Sequence, residues 1–520
     1  RLCSPHMSQQ SHVLAIDLGT SGPKVALVTS DGQLVGSQAE PVDLLLLPNG
    51  GAEQDPNSWW QAIAAAAGRC VALHPEVRIG AVSVTGQWSG TVAIDNAGEP
   101  IGNAIIWMDT RGAPHVERLI RGPIRFEGYD IRKARKWIAA TGGAPTKAGK
   151  DPVGHIAYLR AEQPDVYRRT RVFLEPKDYI NLRLTGQIAA SYDSIAMHWV
   201  TDNRDLHNVE YDPELLEYCG IERRLLPDLL PATAVMGTVS AEAATRLGIA
   251  AGTPVVAGTP DVHSAAVGSG TTTDFAGSLY VGTSSWITCH VPFKKTDLPH
   301  NIASLPAAIP GRYLVLNEQE TAGKALEWVA GLLCPTDPAP LHRLNELARA
   351  TEPGSGGVIF TPWLFGERTP VEDATLRAGF FNQSLETGPA ELARAAYEGV
   401  AYNSRWLLGY VEKLAGRRLD PIVLAGGGAR SPIWGQIFAD VLERTVEVAA
   451  DPVMVNVRGA GLLAHTALGR LRWDQIPDRV PIATTHQPNQ DNRHIYGHLY
   501  DAFRRIHKSN RRIYRRLNRR

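Results

Sequence analysis

The sequence predicts an α/β protein built from two related domains. Three observations predict it. Apolar strand segments alternate along the chain with segments of helical period. An apolar strand running into a small turn opens the chain at Gly19-Thr20-Ser21 and recurs at Gly282-Thr283-Ser284. Gly282 stands 263 positions after Gly19, about half of the 520 residues, a length that itself suits two or three domains.

The elements follow in order. Residues 13–18 read as an apolar strand, 24–28 as a second, and Asp31-Gly32 as the turn to a third. The chain therefore opens on an antiparallel hairpin, not on a strand-to-helix crossover. Ser58 is expected to cap a helix that buries Trp59, Trp60, Ile63 and Ala67 on one face. Strands follow at 79–84 and 91–94. The Gly/Thr-rich tract 268–273 reads as a linker, so the expected domains span 12–268 and 277–470. In the second half, 391–408 has helical period with small residues on one face. Residues 421–424 form a strand and Gly426-Gly427-Gly428 a turn. Ser431-Pro432 then provides an N-cap and a proline at N1 for a helix striped by Ile433, Ile437, Phe438, Val441 and Leu442. Residues 490–520 read as a basic amphipathic helix. The last twenty residues hold nine Lys/Arg against the single acid Asp501, over Ile495, Leu499, Phe503, Ile506, Ile513 and Leu517 at helical spacing. This helix is expected to dock on its own domain with a solvated arginine face.

Composition excludes several classes. Lys+Arg and Asp+Glu are 53 each, so no global field draws the chain to nucleic acid or a membrane. No apolar run approaches the length of a bilayer span. Five scattered cysteines without a CxxC pair argue against a disulfide framework or zinc site, and a reduced cytoplasmic setting is expected. Residues 1–6 precede the first methionine, Met7, and read as a non-native leader or a misplaced start.

Three segments can carry chemistry. In Asp17-Leu18-Gly19-Thr20-Ser21 the glycine admits an anion to the backbone. The hydroxyls can donate to phosphate, and the Asp17 carboxylate can hold Mg²⁺ or its water. Lys24 adds positive charge nearby. The same residues would also serve a turn that only closes a hairpin. The tract 426–428 suits a flat ligand such as adenosine laid against backbone, since a plain turn rarely needs three glycines. Residues 255–261 deliver Asp261 from a strand through a Gly-Thr-Pro turn, where a carboxylate can act as general base or merely cap the following helix. No GxxxxGK[ST], protein-kinase set or GxGxxG strand-to-helix unit is present, which sets aside P-loop enzymes, protein kinases and Rossmann dehydrogenases.

Together these segments resemble the FGGY family of carbohydrate kinases and, within it, the xylulokinases. The resemblance rests on residues 17–22, Glu53-Gln54-Asp55-Pro56 with Trp59-Trp60, Thr85-Gly86-Gln87, Trp107-Met108-Asp109-Thr110-Arg111, Pro176-Lys177-Asp178-Tyr179 with residues 183–186, Asp261, Gly282-Thr283-Ser284, Gly366-Glu367-Arg368-Thr369-Pro370 and residues 426–431. These occur in family order over nearly the whole chain. The resemblance implies two actin-like (ribonuclease-H-like) ATPase domains with an interdomain cleft, sugar on the first and ATP on the second. It implies ATP and Mg²⁺ as partners in catalysis, Asp261 as catalytic base and Asp17 as the metal-organising carboxylate. Gly19, Thr20, Ser21, Lys24, Gly282 and Thr283 would face phosphates, and Gly426, Gly427 and Gly428 adenosine. Gln87, Trp88, Ser89, Trp107, Asp109 and Asp261 would meet the sugar. A homodimer is compatible with it; nucleic acid and membrane partners are not expected.

The sequence departs from the xylulokinase pattern on the sugar side. Gly86-Gln87-Trp88-Ser89-Gly90 replaces Gly-Gln-Met-His-Gly, Val262 stands where Asn usually follows the base, and Met108 replaces Asn. Phosphotransfer to a ketopentose such as D-xylulose is expected. Ribulose, xylitol- or erythritol-type polyols and glycerol are the alternatives, and a non-catalytic sugar or nucleotide sensor is the rival from another class. Gln87, Asp109 or His263 could replace the lost polar contacts.

Overall fold

The computed structural model describes residues 11–126 and 128–518; Cys3 and the leader expected at residues 1–6 lie outside them. The first sheet starts with β1 (His12–Gly19), β2 (Gly22–Val28) and β3 (Leu34–Ala39), each antiparallel to the one before. After α1 (Pro56–Ala72), β4 (Ile79–Gly86) returns parallel to β1. Then come α2 (Pro176–Thr185), β5 (Val235–Thr238) and β6 (Pro254–Val256). β6 is parallel to β4, and β5 is antiparallel at its edge. The spatial order is β5-β6-β4-β1-β2-β3. Helix α3 (Asp261–Gly268) closes this half.

The second half repeats the plan. β7 (Gly277–Val281) and β8 (Ser285–Thr288) form the hairpin, followed by α4 (Gly323–Leu333) and α5 (Pro389–Ala415). β9 (Ile422–Ala425) lies parallel to β7; α6 (Pro432–Leu442) leads to β10 (Val446–Ala449), parallel to β9. After α7 (Val455–Ala467), β11 (Ile482–His486) adds the antiparallel edge, and α8 (Arg493–Asn518) ends the described chain. The order β8-β7-β9-β10-β11 matches β2-β1-β4-β6-β5 in position and direction. The recurring Gly-Thr-Ser thus marks the same hairpin in two actin-like domains.

Two helices cross between the halves. α7 belongs to the second half, yet it buries Val457, Ala460, Leu463 and Ala464 on Val13, Ala15, Ala26 and Val28 of the first sheet. α3 belongs to the first, yet its Ala265 packs with Val423, Ala425 and Ala449 of the second. The two helices touch backbone to backbone: a Cβ on Gly459 would lie 1.9 Å from the Ser264 carbonyl oxygen. Arg458 of α7 donates from Nε to the Gly32 carbonyl at 3.0 Å, tying the joint to the β2–β3 turn.

Three sequence expectations change. Asp55, not Ser58, caps α1: its carboxylate accepts the Asn57 N–H at 2.9 Å, and Pro56 occupies the first helical position. Ser58 instead donates back to the Asp55 carbonyl at 2.7 Å. The tract read as a linker is a packed joint, because Ser269, Thr271 and Thr272 are buried and Thr272 donates to the Trp473 carbonyl at 2.9 Å. The terminal helix buries Tyr496, Leu499, Phe503 and His507, while Ile513 and Leu517 are 54% and 73% exposed. Arg394 and Glu398 of α5 clamp the Tyr496 hydroxyl at 3.1 and 2.8 Å.

No helix among the described residues is long and apolar enough to cross a membrane. Cys70, Cys219, Cys289 and Cys334 are free and buried.

Candidate active site

The site lies where the C-terminal ends of the central strands meet the crossed helices. Asp17 is two residues before the β1–β2 tip, and antiparallel register places Lys24 directly opposite it. The Lys24 Nζ lies 3.6 Å from Asp17 Oδ2. Asp17 Oδ1 is buried with no hydrogen-bond partner among the described residues. Burial raises the Asp17 carboxyl above its ordinary range; Lys24 and Asn456, from the first turn of α7, oppose that rise. Sequence reasoning missed Asn456, because only the interdomain crossing brings α7 to β1.

Asp261 is the first residue of α3, and its side chain makes no cap to the following turn; Oδ1 accepts the N–H of Val262 at 2.8 Å. The carboxylate is pushed up to about 8, first by burial and then by the charges of Asp17 and Glu318. This is how a group at the base of a cleft acquires a proton affinity matched to neutral pH. The loop before it is held from both sides. Asn181 and Lys177 of α2 donate to the Ala257 carbonyl at 2.8 and 3.1 Å. Thr85 donates to the Thr259 carbonyl at 2.7 Å, and the Thr259 hydroxyl bonds Asp193. Gly258 sits at φ +73°, and a Cβ there would meet the Val84 carbonyl oxygen at 2.0 Å, so only glycine lets the loop lie on β4.

The second hairpin contributes Gly282 and the exposed Thr283. Their carbonyls accept the N–H groups of Gly323 (2.8 Å) and Ala322 (2.9 Å), which anchors the tip to the start of α4. The triple glycine acquires a packing reason that sequence reading did not supply. Gly426 has φ +87°, and its Cβ would fall 2.5 Å from the Val281 carbonyl oxygen; a Cβ on Gly428 would fall 2.5 Å from Val281 Cγ1. Two of the three glycines therefore seat the turn on β7. Gly427 alone is exposed with nothing near its missing side chain.

The residues expected at the sugar come together, and most of their polar atoms are already engaged. Trp107 donates to the Thr20 hydroxyl at 3.0 Å, which donates to Gln87 Oε1 at 3.1 Å; Gln87 Nε2 donates to Gln54 at 2.8 Å. Thr20 thus has its hydroxyl in this network, and its backbone faces the tip beside the exposed Ser21. Trp88 donates to the Ser194 carbonyl at 2.7 Å, and Ser89 to the Lys150 carbonyl at 3.1 Å. Asp109 accepts from the Ala52 N–H, the Arg111 N–H and Arg111 Nε, all within 2.9 Å, so it orients Arg111. His263 is buried, with Nε2 on the Pro306 carbonyl at 3.0 Å and its ring edge-on to Trp88. Its Nδ1 has no hydrogen-bond partner among the described residues.

A charge cluster faces this set from the second half. Arg368 pairs with Glu318 and donates to Glu320 at 3.0 Å, and Lys150 of the first half approaches Glu320 at 3.9 Å. Glu318 and Glu320 gave no sequence signal. They matter because Arg368, inside the Gly-Glu-Arg-Thr-Pro stretch, orients them, and because Glu318 is among the charges that raise Asp261. Among the described residues no three His, Cys, Asp or Glu side chains group as a closed metal cage.

Comparison with known proteins agrees with this fold. Residues 12–268 match the N-terminal domain of the FGGY family of carbohydrate kinases and residues 277–468 its C-terminal domain. The chain is 27% identical to a xylulose kinase of Staphylococcus epidermidis, over 96% of this chain and 97% of that one. It is 26% identical to a gluconokinase of Bacillus subtilis, over 95% of each. A crystal structure of a gluconate kinase from Lactobacillus acidophilus superposes with a TM-score of 0.86 at 23% identity, covering 98% of this chain and 100% of that one.

Proposed function

Because the chain belongs to the FGGY family of carbohydrate kinases, we propose that it transfers the γ-phosphate of ATP to a hydroxyl of a ketopentose such as D-xylulose. The observation that carries this reading is the pair Asp17 and Asp261. One is a buried carboxylate with an unused oxygen; the other is a partly exposed carboxylate whose proton affinity lies near neutral pH. A sensor would need neither.

In this reading Asp261 takes the proton from the attacking sugar hydroxyl, the hydroxyl oxygen bonds to the γ-phosphorus, and the bridging oxygen leaves with ADP. Gly19, Thr20, Ser21, Gly282 and Thr283 present the two hairpin tips to the phosphates, and Gly427 offers the open face to adenosine. Mg²⁺ fits the residues present. Such an ion is commonly held by one or two carboxylates with phosphates and water rather than by a protein cage, and Asp17 Oδ1 is free for it or for its water. When bound, the ion neutralises charge on the phosphates. The Lys24 charge opposes the rise that burial gives Asp17 and so favours its ionised form. Closure of the halves across Lys150 and Glu320 excludes water from the site.

A ketopentose is supported by the relatives named xylulose kinase. The test is ADP release with Mg·ATP against D-xylulose, D-ribulose, gluconate, xylitol, erythritol and glycerol, with a sugar-free blank. One strong hit on D-xylulose is expected. A hit on gluconate alone overturns the substrate assignment, and no turnover with any sugar overturns the kinase reading.

A further inference from the structure

Glu175 stands at the cap position of α2, yet its side chain makes no bond to that helix. It is 1% exposed and reaches instead to a turn 85 positions earlier in the chain. Its Oε2 accepts the Gly90 N–H at 2.9 Å, and the Ser89 N–H also faces the carboxylate.

The turn it holds is the segment 86–90, which carries three of the residues expected at the sugar. Its backbone is strained. Ser89 has φ +65°, in the left-handed region that a residue with a Cβ rarely adopts. Such a conformation persists where the surroundings over-determine it. Three contacts do so here: Glu175 on the Gly90 N–H, the Lys150 carbonyl on the Ser89 hydroxyl, and the Ser194 carbonyl on the Trp88 indole. Of the three, only Glu175 acts through its side chain. Pro176, the next residue, lies under the turn: a Cβ on Gly90 would fall 2.5 Å from its Cγ.

The other carboxyl oxygen of Glu175 faces His198 Nδ1 at 3.8 Å, and neither atom has a hydrogen-bond partner among the described residues. Burial pushes the Glu175 carboxyl well above its ordinary range and takes His198 down to about 3. The site therefore favours a neutral acid beside a neutral imidazole. A protonated carboxyl still accepts the Gly90 N–H through its other oxygen, and glutamine copies it in shape and hydrogen bonding.

The same helix start also holds the loop of the proposed base. Lys177 and Asn181 of α2 donate to the Ala257 carbonyl, four residues before Asp261. One short stretch of α2 thus grips the turn that presents Gln87, Trp88 and Ser89 and the loop that presents Asp261. The Trp88 ring meets His263, two residues after the base, with centroids 5.1 Å apart. A shift of the turn would move this wall relative to the base.

We infer that Glu175 is a positioning residue for the sugar: through the Gly90 N–H it fixes the turn 86–90 against the loop of Asp261 and so sets how tightly the sugar is held. This rests on the kinase reading above. Glu175 itself touches no substrate.

The test compares Glu175→Leu, which removes the acceptor at similar volume, with Glu175→Gln, which keeps it. Hydrogen exchange read by mass spectrometry on the peptide spanning residues 86–91 needs no sugar; steady-state kinetics uses the sugar that the parent phosphorylates. In Glu175→Leu, exchange in the turn should rise about tenfold with that of α5 unchanged. The KM for sugar should rise about tenfold, more than kcat falls, while the KM for ATP stays within about twofold. Glu175→Gln should keep turn exchange and the sugar KM within about threefold of the parent. Thermal unfolding shows whether the variants fold. If Glu175→Leu does not, Glu175→Asp, which draws the acceptor back by one methylene, should raise the sugar KM about threefold. Unchanged exchange in the turn overturns the inference, as do an equal rise in both KM values and identical behaviour of the Gln and Leu variants. A parent that phosphorylates no sugar refutes the kinase reading instead, and turn exchange alone then decides whether Glu175 holds the turn.

Discussion

Asp17 and Lys24 face each other across the first hairpin, carboxylate to ammonium at 3.6 Å, in direct antiparallel register. The pairing leaves one Asp17 oxygen unused and opposes the rise that burial gives its carboxyl. It links a local sequence feature, two strands joined by a short glycine-bounded turn, to the charge state of the site.

Lys24→Met removes that opposing charge. Lys24 also holds down Asp261, so both carboxyls should rise. The acidic limb of the kcat/KM profile should move to higher pH, and turnover at pH 7 should fall about tenfold, the effect of one pKa unit. An unchanged pH profile would show that Lys24 does not set these charges.

Asp261 should govern the pH dependence directly. With its carboxyl at about 8, the base is mostly protonated at pH 6, and kcat/KM should climb about tenfold per pH unit below that point. Asp261→Asn should lower kcat about 10²- to 10⁴-fold with Mg·ATP binding kept. Loss of nucleotide binding in that variant would reassign the residue.

The same shift predicts a stability signature. The folded carboxyl lies above its unfolded value near 4, so the unfolded chain releases its proton first as pH rises. This group therefore lowers stability between about pH 4 and pH 8. Asp261→Asn should raise Tm at pH 8 and change it little at pH 4. Equal shifts at both pH values would falsify the assignment of a raised carboxyl.

Gly426 and Gly427 should separate by role. Gly426→Ala forces a side chain into positive φ and onto the Val281 carbonyl, and should destabilise the fold by about 1–3 kcal/mol. Gly427→Ala meets open space and should leave Tm unchanged. Under the adenosine reading Gly427→Val raises the KM for ATP without changing that for sugar. Thermal unfolding and steady-state kinetics on the three variants decide this.

Gly459→Ala tests the crossed helices. Its Cβ would fall 1.9 Å from the Ser264 carbonyl oxygen, so α3 and α7 must part. Overpacking of this kind costs about 1–3 kcal/mol. Because α3 starts at Asp261 and α7 carries Asn456, kcat should fall as well. A folded variant with normal kcat would separate the helix contact from the site.

Much of the site was legible because its chemistry is local. Asp17, Gly19 and Lys24 lie within one hairpin, and Asp261 follows its strand by five residues, so period and turn signals located them. Ser58 misled because Asp55-Pro56 offers a better cap three residues earlier, where both the carboxylate and the fixed proline geometry act together. The tract 268–273 misled because glycine and threonine suit a linker and a packed joint equally. The sequence does not show that Asp109 also accepts from Ala52 and Arg111, because Ala52 lies 57 positions away.

By itself the sequence determined the duplicated α/β plan, the kinase family and the two acids that define the proposed chemistry. These depend on patterns along neighbouring residues: strand period, turn composition, motif order. Only the tertiary structure decided how the halves are joined. It sends α7 onto the first sheet and α3 onto the second, and brings Asn456 beside Asp17 and Glu318 near Asp261. Asn456 stands 439 positions from Asp17 and Glu318 stands 57 from Asp261. Their proximity follows from burying apolar helix faces on distant strands, a force without direction along the chain, and no local pattern encodes which distant strand each helix meets.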